Sequence, residues 1–318
     1  MCTAVTYYGE SRCFGRNLDL NCSYGEQVAL TPRNFPLHFR CARPMRGHYA
    51  MLGMAHVRED YPLYYDGVNE KGLAMAGLNF PGYAAYYSYH AGADNVAPFE
   101  LIPWVLGQCA DLGEVKALLG SVNLLDQAFS PELPLTPLHW MAADGEGALV
   151  IEPMGDGLRV HEAPVGVLTN APPFDWQMTN LCRFMALSNE PPQNRFAPEL
   201  ELPVISGGMG ALGLPGDLSS PSRFVRAAFF RKNSPAGLSE QAGLSQLFHI
   251  LNSVAQPGGA GGERTVYTAC CDLDRGIYSY TTYENSRPTA VALTPERLDG
   301  GALLTWPLRE RADVFWES

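Results

Sequence analysis

The sequence has few charged residues, and acidic ones outnumber basic ones. Only 17% of its 318 residues are charged, with 22 lysines and arginines against 33 aspartates and glutamates, which gives a formal net charge of −11. A chain this acidic is poorly suited to bind nucleic acid or an anionic membrane surface. We therefore expect no nucleic acid and no membrane among its partners, and an anionic ligand would need locally placed arginines.

Long apolar runs and regularly spaced cysteines are also missing. No stretch approaches the roughly 18–20 apolar residues that span a bilayer, and residues 1–19 lack the basic and apolar regions of a signal peptide. The eight cysteines include no CxxC pair, and together with the seven histidines they show no zinc-ligand spacing. We expect a cytoplasmic protein with free thiols, no metal and no cofactor.

Hydrophobic residues make up 46% of the chain, enough for a large core, and the predicted elements run in the order strands, helices, strands, helices, strands. The opening hairpin pairs residues 2–8 with 12–18 across a Gly-Glu-Ser turn. Helix-capping residues and apolar periodicity predict helices over 98–109, 111–119, 175–187, 222–232 and a stretch after Ser239. Because hairpin follows hairpin, the pattern favours antiparallel sheet over βαβ units. We predict a single α+β domain covering residues 1–318.

The first six residues carry the most distinctive chemical feature, a cysteine directly after the initiator methionine. Removal of Met1 would leave a thiol and a free α-amine on Cys2, which makes a nucleophile that carries its own base. A small side chain at position two permits this removal. A chance cysteine is nevertheless the simpler explanation of these six residues taken alone.

Polar residues elsewhere could complete such a site. The predicted hairpin brings Arg16 and Asp19 towards Cys2, where the arginine would favour the thiolate and the aspartate could orient the α-ammonium. Asn79 and Asn170 end predicted strands and are suitable donors to an oxyanion. Each also fits a structural role, because hairpin ion pairs and turn-forming asparagines are common. Composition and spacing alone do not single out these two asparagines.

A series of motifs runs in order along nearly the whole chain. They are MCT at 1–3, FGRNLD at 14–19, NEKGL at 69–73, AGLNFP at 76–81, LHW at 138–140, GVLTN at 166–170, LPGD at 214–217 and SRF at 222–224. Together they resemble the choloylglycine hydrolase family, which contains the bile salt hydrolases and the penicillin V acylases. The ordered series is far more specific than any one motif, and it makes a chance cysteine at position two a poor explanation.

This resemblance implies an N-terminal nucleophile hydrolase, an αββα four-layer sandwich with two antiparallel sheets between helix layers, usually assembled as a homotetramer. The matching catalytic positions are Cys2, Arg16, Asp19, Asn79, Asn170 and Arg223. In this family the cysteine, freed of Met1, is the nucleophile and its amine is the base. The resemblance further implies that Asn79 and a backbone N–H bind the oxyanion, while Asn170 and Arg223 order the site.

The implied substrate is a conjugated bile acid. Asparagine rather than tyrosine at position 79 resembles the bile salt branch of the family. Family pocket positions fall on Leu18, Tyr65, Phe129, Leu133 and Thr136, which are mostly apolar, as burial of a steroid face requires. Ordinary core or loop packing explains these five residues equally well, and Tyr65 is larger than the resemblance leads us to expect.

We therefore expect an amidase that cleaves the C–N bond between a bile acid and glycine or taurine through a thioester. The nearest alternative is a penicillin V acylase, and an acylase for N-acyl amino acids or homoserine lactones is another. A non-catalytic steroid- or lipid-binding protein is the alternative of a different class, and it predicts that Met1 is retained.

Overall fold

The structure is a computed structural model that describes residues 1–259 and 262–317. Its strands are β1 Cys2–Tyr8, β2 Arg12–Leu20, β3 Gln27–Thr31, β4 Met51–Arg58, β5 Tyr61–Asn69, β6 Ala74–Asn79, β7 Asp94–Val96, β8 Val122–Leu124, β9 Leu138–Ala143, β10 Ala148–Met154, β11 Gly157–Glu162, β12 Val167–Leu168, β13 Arg264–Asp272, β14 Ile277–Thr282, β15 Thr289–Ala292 and β16 Leu304–Pro307. Its α-helices are α1 Leu101–Leu106, α2 Leu112–Leu119, α3 Phe174–Leu181, α4 Ser220–Lys232, α5 Glu240–Asn252 and α6 Pro295–Leu298.

Two large antiparallel sheets contain most of these strands. The first has six strands in the order β12-β1-β2-β13-β14-β15, and the second has eight in the order β11-β10-β9-β6-β5-β4-β3-β16. A small parallel pair, β7 with β8, lies apart from them. Sequential strands joined by short turns are neighbours in both sheets, as the hairpin pattern predicts.

The sheets pack face to face, and helices cover their outer faces. One apolar core joins both sheets and extends to α4 and α5 through residues such as Phe224 and Leu247. A second core joins the other face of the eight-stranded sheet to α1 and α2, with Val105 and Val115 among its members. The layers are therefore helix, sheet, sheet, helix, and the predicted α+β sandwich is confirmed.

The opening hairpin determines where the site forms. In β1 and β2, Cys2 lies opposite Leu18 and Ala4 lies opposite Arg16. On its other side β2 pairs with β13, so β2 is an interior strand of the first sheet. Because side chains alternate between the two faces of a strand, the even-numbered Arg16 and Leu18 share one face of β2.

Two predicted helices are shorter in the structure. The helix expected over 98–109 starts as a 3-10 turn at Pro98–Glu100, and the α-helix proper ends at Leu106 with Gly107 as its C-cap. The helix expected over 175–187 is α3, followed by a separate 3-10 turn at Cys182–Phe184. Met185 is 82% exposed, so no apolar contact extends that helix.

Within the described residues, no helix has the length and apolarity needed to cross a bilayer.

Candidate active site

Cys2 is the first residue of β1 and is only 3% exposed. Its Sγ atom accepts a hydrogen bond from Nη2 of Arg16 at 2.9 Å. All eight cysteines of the chain are free thiols. Cys2 thus has a buried guanidinium directly against its sulfur.

The guanidinium of Arg16 is fully buried and is held by main-chain carbonyls of the second sheet. Nη1 donates to the carbonyl oxygens of Tyr65 and Gly77, both at 3.0 Å. Burial lowers the pKa of Arg16, but the nearby Cys2 and Tyr267, with further acidic neighbours, outweigh this effect and raise the net pKa. The side chain therefore remains a fixed cation between the two sheets.

Asn170 connects the nucleophile to two other predicted site residues. Its Oδ1 accepts the Cys2 N–H at 2.8 Å and Nη2 of Arg223 at 2.7 Å. Its Nδ2 donates to the main-chain oxygen of Asn79 at 2.7 Å. Arg223, on α4, also donates from Nη1 to the Cys2 carbonyl oxygen at 2.5 Å and to Thr3 Oγ1 at 2.6 Å. The main-chain atoms of Cys2 are thus fixed on both sides of its Cα.

Two contacts place Asn170 itself. Its main-chain N–H donates to Oγ of Ser220 at 2.9 Å, and that hydroxyl donates back to the Asn170 carbonyl oxygen at 2.9 Å. The preceding carbonyl, of Thr169, lies 2.9 Å from Nε2 of the buried His139. The LHW motif therefore acts at the site indirectly, because its histidine supports the strand end that presents Asn170.

Asp19 lies beside the chain terminus. Its main chain exchanges two hydrogen bonds with Met1, at 2.9 and 2.8 Å, and the Met1 ammonium also contacts the carboxylate of Glu263. Asp19 Oδ1 accepts from Thr265 Oγ1 at 2.6 Å. No group in the part of the chain that the structure describes hydrogen-bonds the buried Oδ2. Burial raises the pKa of Asp19, and the nearby Arg223 opposes this shift.

A cavity of about 370 Å³ opens next to Cys2, and its walls are mainly apolar. Three of the predicted catalytic residues line it, namely Cys2, Asp19 and Asn79. All five predicted pocket residues line it as well, namely Leu18, Tyr65, Phe129, Leu133 and Thr136. The other three predicted catalytic residues, Arg16, Asn170 and Arg223, are not part of the wall and contact Cys2 from behind. The volume falls in the range of sites for small organic ligands.

Several lining residues were not predicted from the sequence. One of them, Phe99, packs edge-on against Phe129, with ring centroids 5.3 Å apart. Arg40 is not part of the wall but lies 5.2 Å over the Phe129 ring. Leu135 and Glu263 also line the cavity. For Leu135 the available signal was the apolar, proline-containing segment 124–137, which is unusual for a surface loop.

Among residues 1–259 and 262–317, no three His, Cys, Asp or Glu side chains come together as metal ligands would. The geometry instead provides a thiol, a fixed cation and an amide that holds the main chain of the same cysteine. Such an arrangement suits covalent catalysis by an activated nucleophile.

Two antiparallel sheets stacked face to face between helix layers form an αββα sandwich, and this is the fold of the class of N-terminal nucleophile hydrolases. Residues 2–306 match the family of linear amide C–N hydrolases described as the choloylglycine hydrolase family. The chain belongs to this family, as the resemblance predicted.

Relatives and solved structures agree with this membership. The chain is 50% identical to a bile salt hydrolase/transferase of Lactiplantibacillus plantarum, and the match covers 99% of both chains. A crystal structure of a conjugated bile acid hydrolase from Clostridium perfringens is 34% identical, with a TM-score of 0.92 and complete coverage of both chains. A penicillin V acylase from Agrobacterium tumefaciens is 20% identical with a TM-score of 0.76, covering 96% of this chain and 90% of the other, which shows the shared fold.

Proposed function

We propose that the protein hydrolyses the amide bond that joins a bile acid to glycine or taurine, with Cys2 as the nucleophile once Met1 has been removed. The observation that carries the proposal is the Cys2 sulfur, 2.9 Å from Arg16 Nη2 and at the edge of an apolar cavity. The bile salt and conjugated bile acid hydrolases to which the chain is similar support the substrate class.

The first half of the reaction forms a thioester. Cys2 Sγ attacks the carbonyl carbon, its proton passes to the α-amine, and the ammonium then protonates the leaving nitrogen as the C–N bond breaks. The side-chain amide of Asn79 and a backbone N–H stabilise the oxyanion, a contribution of about 3–4 kcal/mol for one such donor. The half-buried position of Asn79 on the cavity wall supports this role.

The second half releases the acid. The α-amine takes a proton from water, the water oxygen attacks the thioester carbon, and the C–S bond breaks to give the free bile acid and the thiol. Asn170 Oδ1, 2.8 Å from the Cys2 nitrogen, keeps that amine in position throughout. Arg223 holds Asn170 and the Cys2 carbonyl, so both residues order the site without contacting the reacting carbonyl.

Removal of Met1 is the activating step. While Met1 is present, the Cys2 nitrogen is an amide and cannot act as a base. The Oδ2 atom of Asp19 is buried close to this terminus and has no hydrogen-bond partner among the described residues. We assign this oxygen as the acceptor for the α-ammonium that forms once the amine has taken the thiol proton, because a charge-assisted bond would then satisfy both groups.

The test combines mass spectrometry with turnover. The purified protein should lack Met1, should hydrolyse glycocholate and taurocholate, and should lose this activity when a thiol reagent modifies Cys2. Cys2→Ala should be inactive, whereas Cys182→Ala, which changes an exposed cysteine, should remain fully active. Wild-type turnover by Cys2→Ala, or an active protein that retains Met1, would overturn the proposal.

The same experiment separates the alternative functions. Penicillin V, an N-acyl amino acid and an acyl homoserine lactone should each turn over more slowly than glycocholate, and faster turnover of any one would reassign the substrate. A non-catalytic steroid- or lipid-binding protein would retain Met1 and bind bile salts without hydrolysing them.

We further propose a homotetramer in the cytoplasm. Segment 185–212 exposes large apolar side chains, with Phe196 at 91% and Leu212 at 86%, and such surfaces mark contacts between subunits. The exposed thiols of Cys22, Cys41 and Cys182 suit a reducing compartment. Light scattering should give four subunits, and cell fractionation should recover the activity with cytoplasmic markers. A monomer, or activity outside the cytoplasm, would contradict this proposal.

A further inference from the structure

A buried aspartate lies behind Arg16 and has no part in the reaction described above. Asp66, on β5 of the eight-stranded sheet, is 1% exposed. Its Oδ1 accepts from the hydroxyl of Tyr278 at 2.7 Å, and its Oδ2 accepts from the hydroxyl of Tyr267. The two tyrosines belong to β13 and β14 of the other sheet, so this carboxylate connects the two sheets.

Asp66 acts on Arg16 through its charge. Its Oδ2 lies 3.8 Å from Arg16 Nη1, which is beyond hydrogen-bond distance but within the range of an ion pair. Both Nη1 hydrogens are already used by the carbonyl oxygens of Tyr65 and Gly77. Both carboxylate oxygens are likewise used by the two phenols. Hydrogen bonds therefore fix each group separately, and the attraction between their charges acts across the gap.

The charges around Arg16 come from several elements. Besides Asp66, the titratable side chains that face the guanidinium are Cys2 on β1, Asp19 on β2, Tyr65 on β5, Tyr267 on β13 and Tyr278 on β14. Burial raises the pKa of Asp66 above its ordinary value, and Arg16 with the two phenols offsets this only in part. Each carboxylate oxygen nevertheless accepts from a different phenol, and two hydroxyl donors are matched best by an acceptor group that carries no proton of its own. The geometry therefore suits the ionised form.

The charge of Asp66 determines whether the charge of Arg16 is balanced. A buried charge is costly unless an opposite charge lies near it. Asp19 has its own cation, because Arg223 attracts it more strongly than Arg16 does. With Asp66 ionised, Arg16 is therefore balanced, and a protonated Cys2 leaves this cluster neutral. Without the Asp66 charge, neutrality would require the Cys2 thiolate.

We propose that Asp66 is a positioning residue for Cys2 that acts through Arg16, balancing the guanidinium so that the sulfur keeps its proton until the α-amine takes it. The inference rests on the proposed role of Cys2 as nucleophile. It explains why an arginine can lie against the sulfur without holding it permanently as a thiolate. A more stable thiolate is also a weaker nucleophile, so this balance favours attack on an unactivated amide.

The test is the pH dependence of Cys2 alkylation by iodoacetamide in the protein without Met1, followed by mass spectrometry of the N-terminal peptide. Asp66→Asn should move the alkylation profile to lower pH by about 1 unit, the smaller end of the effect of a nearby opposite charge. The alkylation rate that this variant reaches at high pH should be about threefold lower, because a more stable thiolate is a weaker nucleophile. Tyr278→Phe removes one hydrogen bond but keeps the carboxylate, and its profile should match the wild type.

An unchanged profile, or one moved to higher pH, would overturn the proposal, since a purely orienting Asp66 would release Arg16 from the sulfur when replaced. If Asp66→Asn does not fold, the double variant that combines Arg16→Gln with Asp66→Asn provides the test instead. It removes both buried charges and should be recovered folded in higher yield than the single variant; an equal yield would refute charge balance. The alkylation assay uses no bile salt, so its result is independent of whether the proposed substrate is correct.

Discussion

Replacing Asn170 with alanine removes three side-chain hydrogen bonds at the site. They join its Oδ1 to the Cys2 nitrogen and Arg223 Nη2, and its Nδ2 to the Asn79 carbonyl oxygen. Two ordinary bonds are worth about 1 kcal/mol each and a bond to a charged group about 2 kcal/mol, so the free energy of unfolding should fall by about 4 kcal/mol. The Cys2 nitrogen and Arg223 would both lose their shared acceptor.

Activity should fall further than stability explains. Displacing the amine by about 1 Å from the attacking sulfur or the leaving nitrogen typically lowers the reaction rate about 100-fold. We expect at least that loss in kcat/KM. The assay is glycocholate hydrolysis by protein that urea titration shows to be folded, so that the rate refers to native molecules only.

Asn69 provides the matched control. It is fully buried, and its side chain makes four hydrogen bonds, to the nitrogens of Lys71 and Leu73 and to the carbonyls of Leu106 and Cys109. Asn69→Ala should therefore destabilise the fold by a similar amount, about 4 kcal/mol, while kcat/KM per folded molecule stays near the wild-type value. If Asn170→Ala kept its activity within about tenfold, a change of only about 1.4 kcal/mol, the proposed positioning of the amine would be wrong.

Three further predictions concern pH, the cavity and strand packing. Burial raises the pKa of Glu70, but its bonds from Arg33 outweigh this and bring it below its ordinary value of 4.5. Such a group stabilises the fold above that value and loses the effect as pH falls through the folded pKa, so Glu70→Gln should lower the urea midpoint clearly at about pH 7 and little at about pH 3. Phe129→Ala should raise KM for glycocholate at least about tenfold, because covering its half-buried phenyl with the bound substrate contributes about 1.5–3 kcal/mol. Gly53→Ala should destabilise by about 1–3 kcal/mol, since the added Cβ would lie 2.0 Å from a carbonyl oxygen of β5, whereas Gly216→Ala meets nothing within 4 Å and should be neutral.

Each of these predictions has its own contrary outcome. An equal effect of Glu70→Gln at both pH values would contradict the stabilising role of the ion pair. The control for the cavity is Phe230→Ala, which changes an exposed phenyl that does not line it. An equal rise in KM for both variants would mean that Phe129 does not contribute specifically to substrate binding. A Gly53→Ala protein as stable as the wild type would mean that β4 and β5 can move apart without loss of folding stability.

The opening hairpin is the part of the site that the sequence predicts on physical grounds. A Gly-Glu-Ser turn joining two strands brings Arg16 and Asp19 near Cys2, and the structure has the same pairing. Asn170 and Arg223 are different, because they lie 168 and 221 residues from Cys2 along the chain. No local periodicity reports contacts at such separations, and only the family resemblance pointed to them.

The remaining differences also have physical causes. Helix ends were misjudged where apolar side chains such as Met185 continue the helical pattern into solvent. Asp66 went unnoticed because its partners, Tyr267 and Tyr278, come from the other sheet, and the packing of two sheets is not encoded within either strand. The single domain over residues 1–318 and the catalytic roles of the site residues stay predictions.

The strand that presents the nucleophile is held on both edges. β1 pairs along its length with β2, and Ala4 and Val5 also pair with β12. A strand at a chain terminus usually frays and exchanges its amide hydrogens readily, but one enclosed in this way opens only with the larger unit that surrounds it. Heat inactivation should therefore coincide with the melting of the whole sandwich, and residual activity can serve as a direct measure of the folded population.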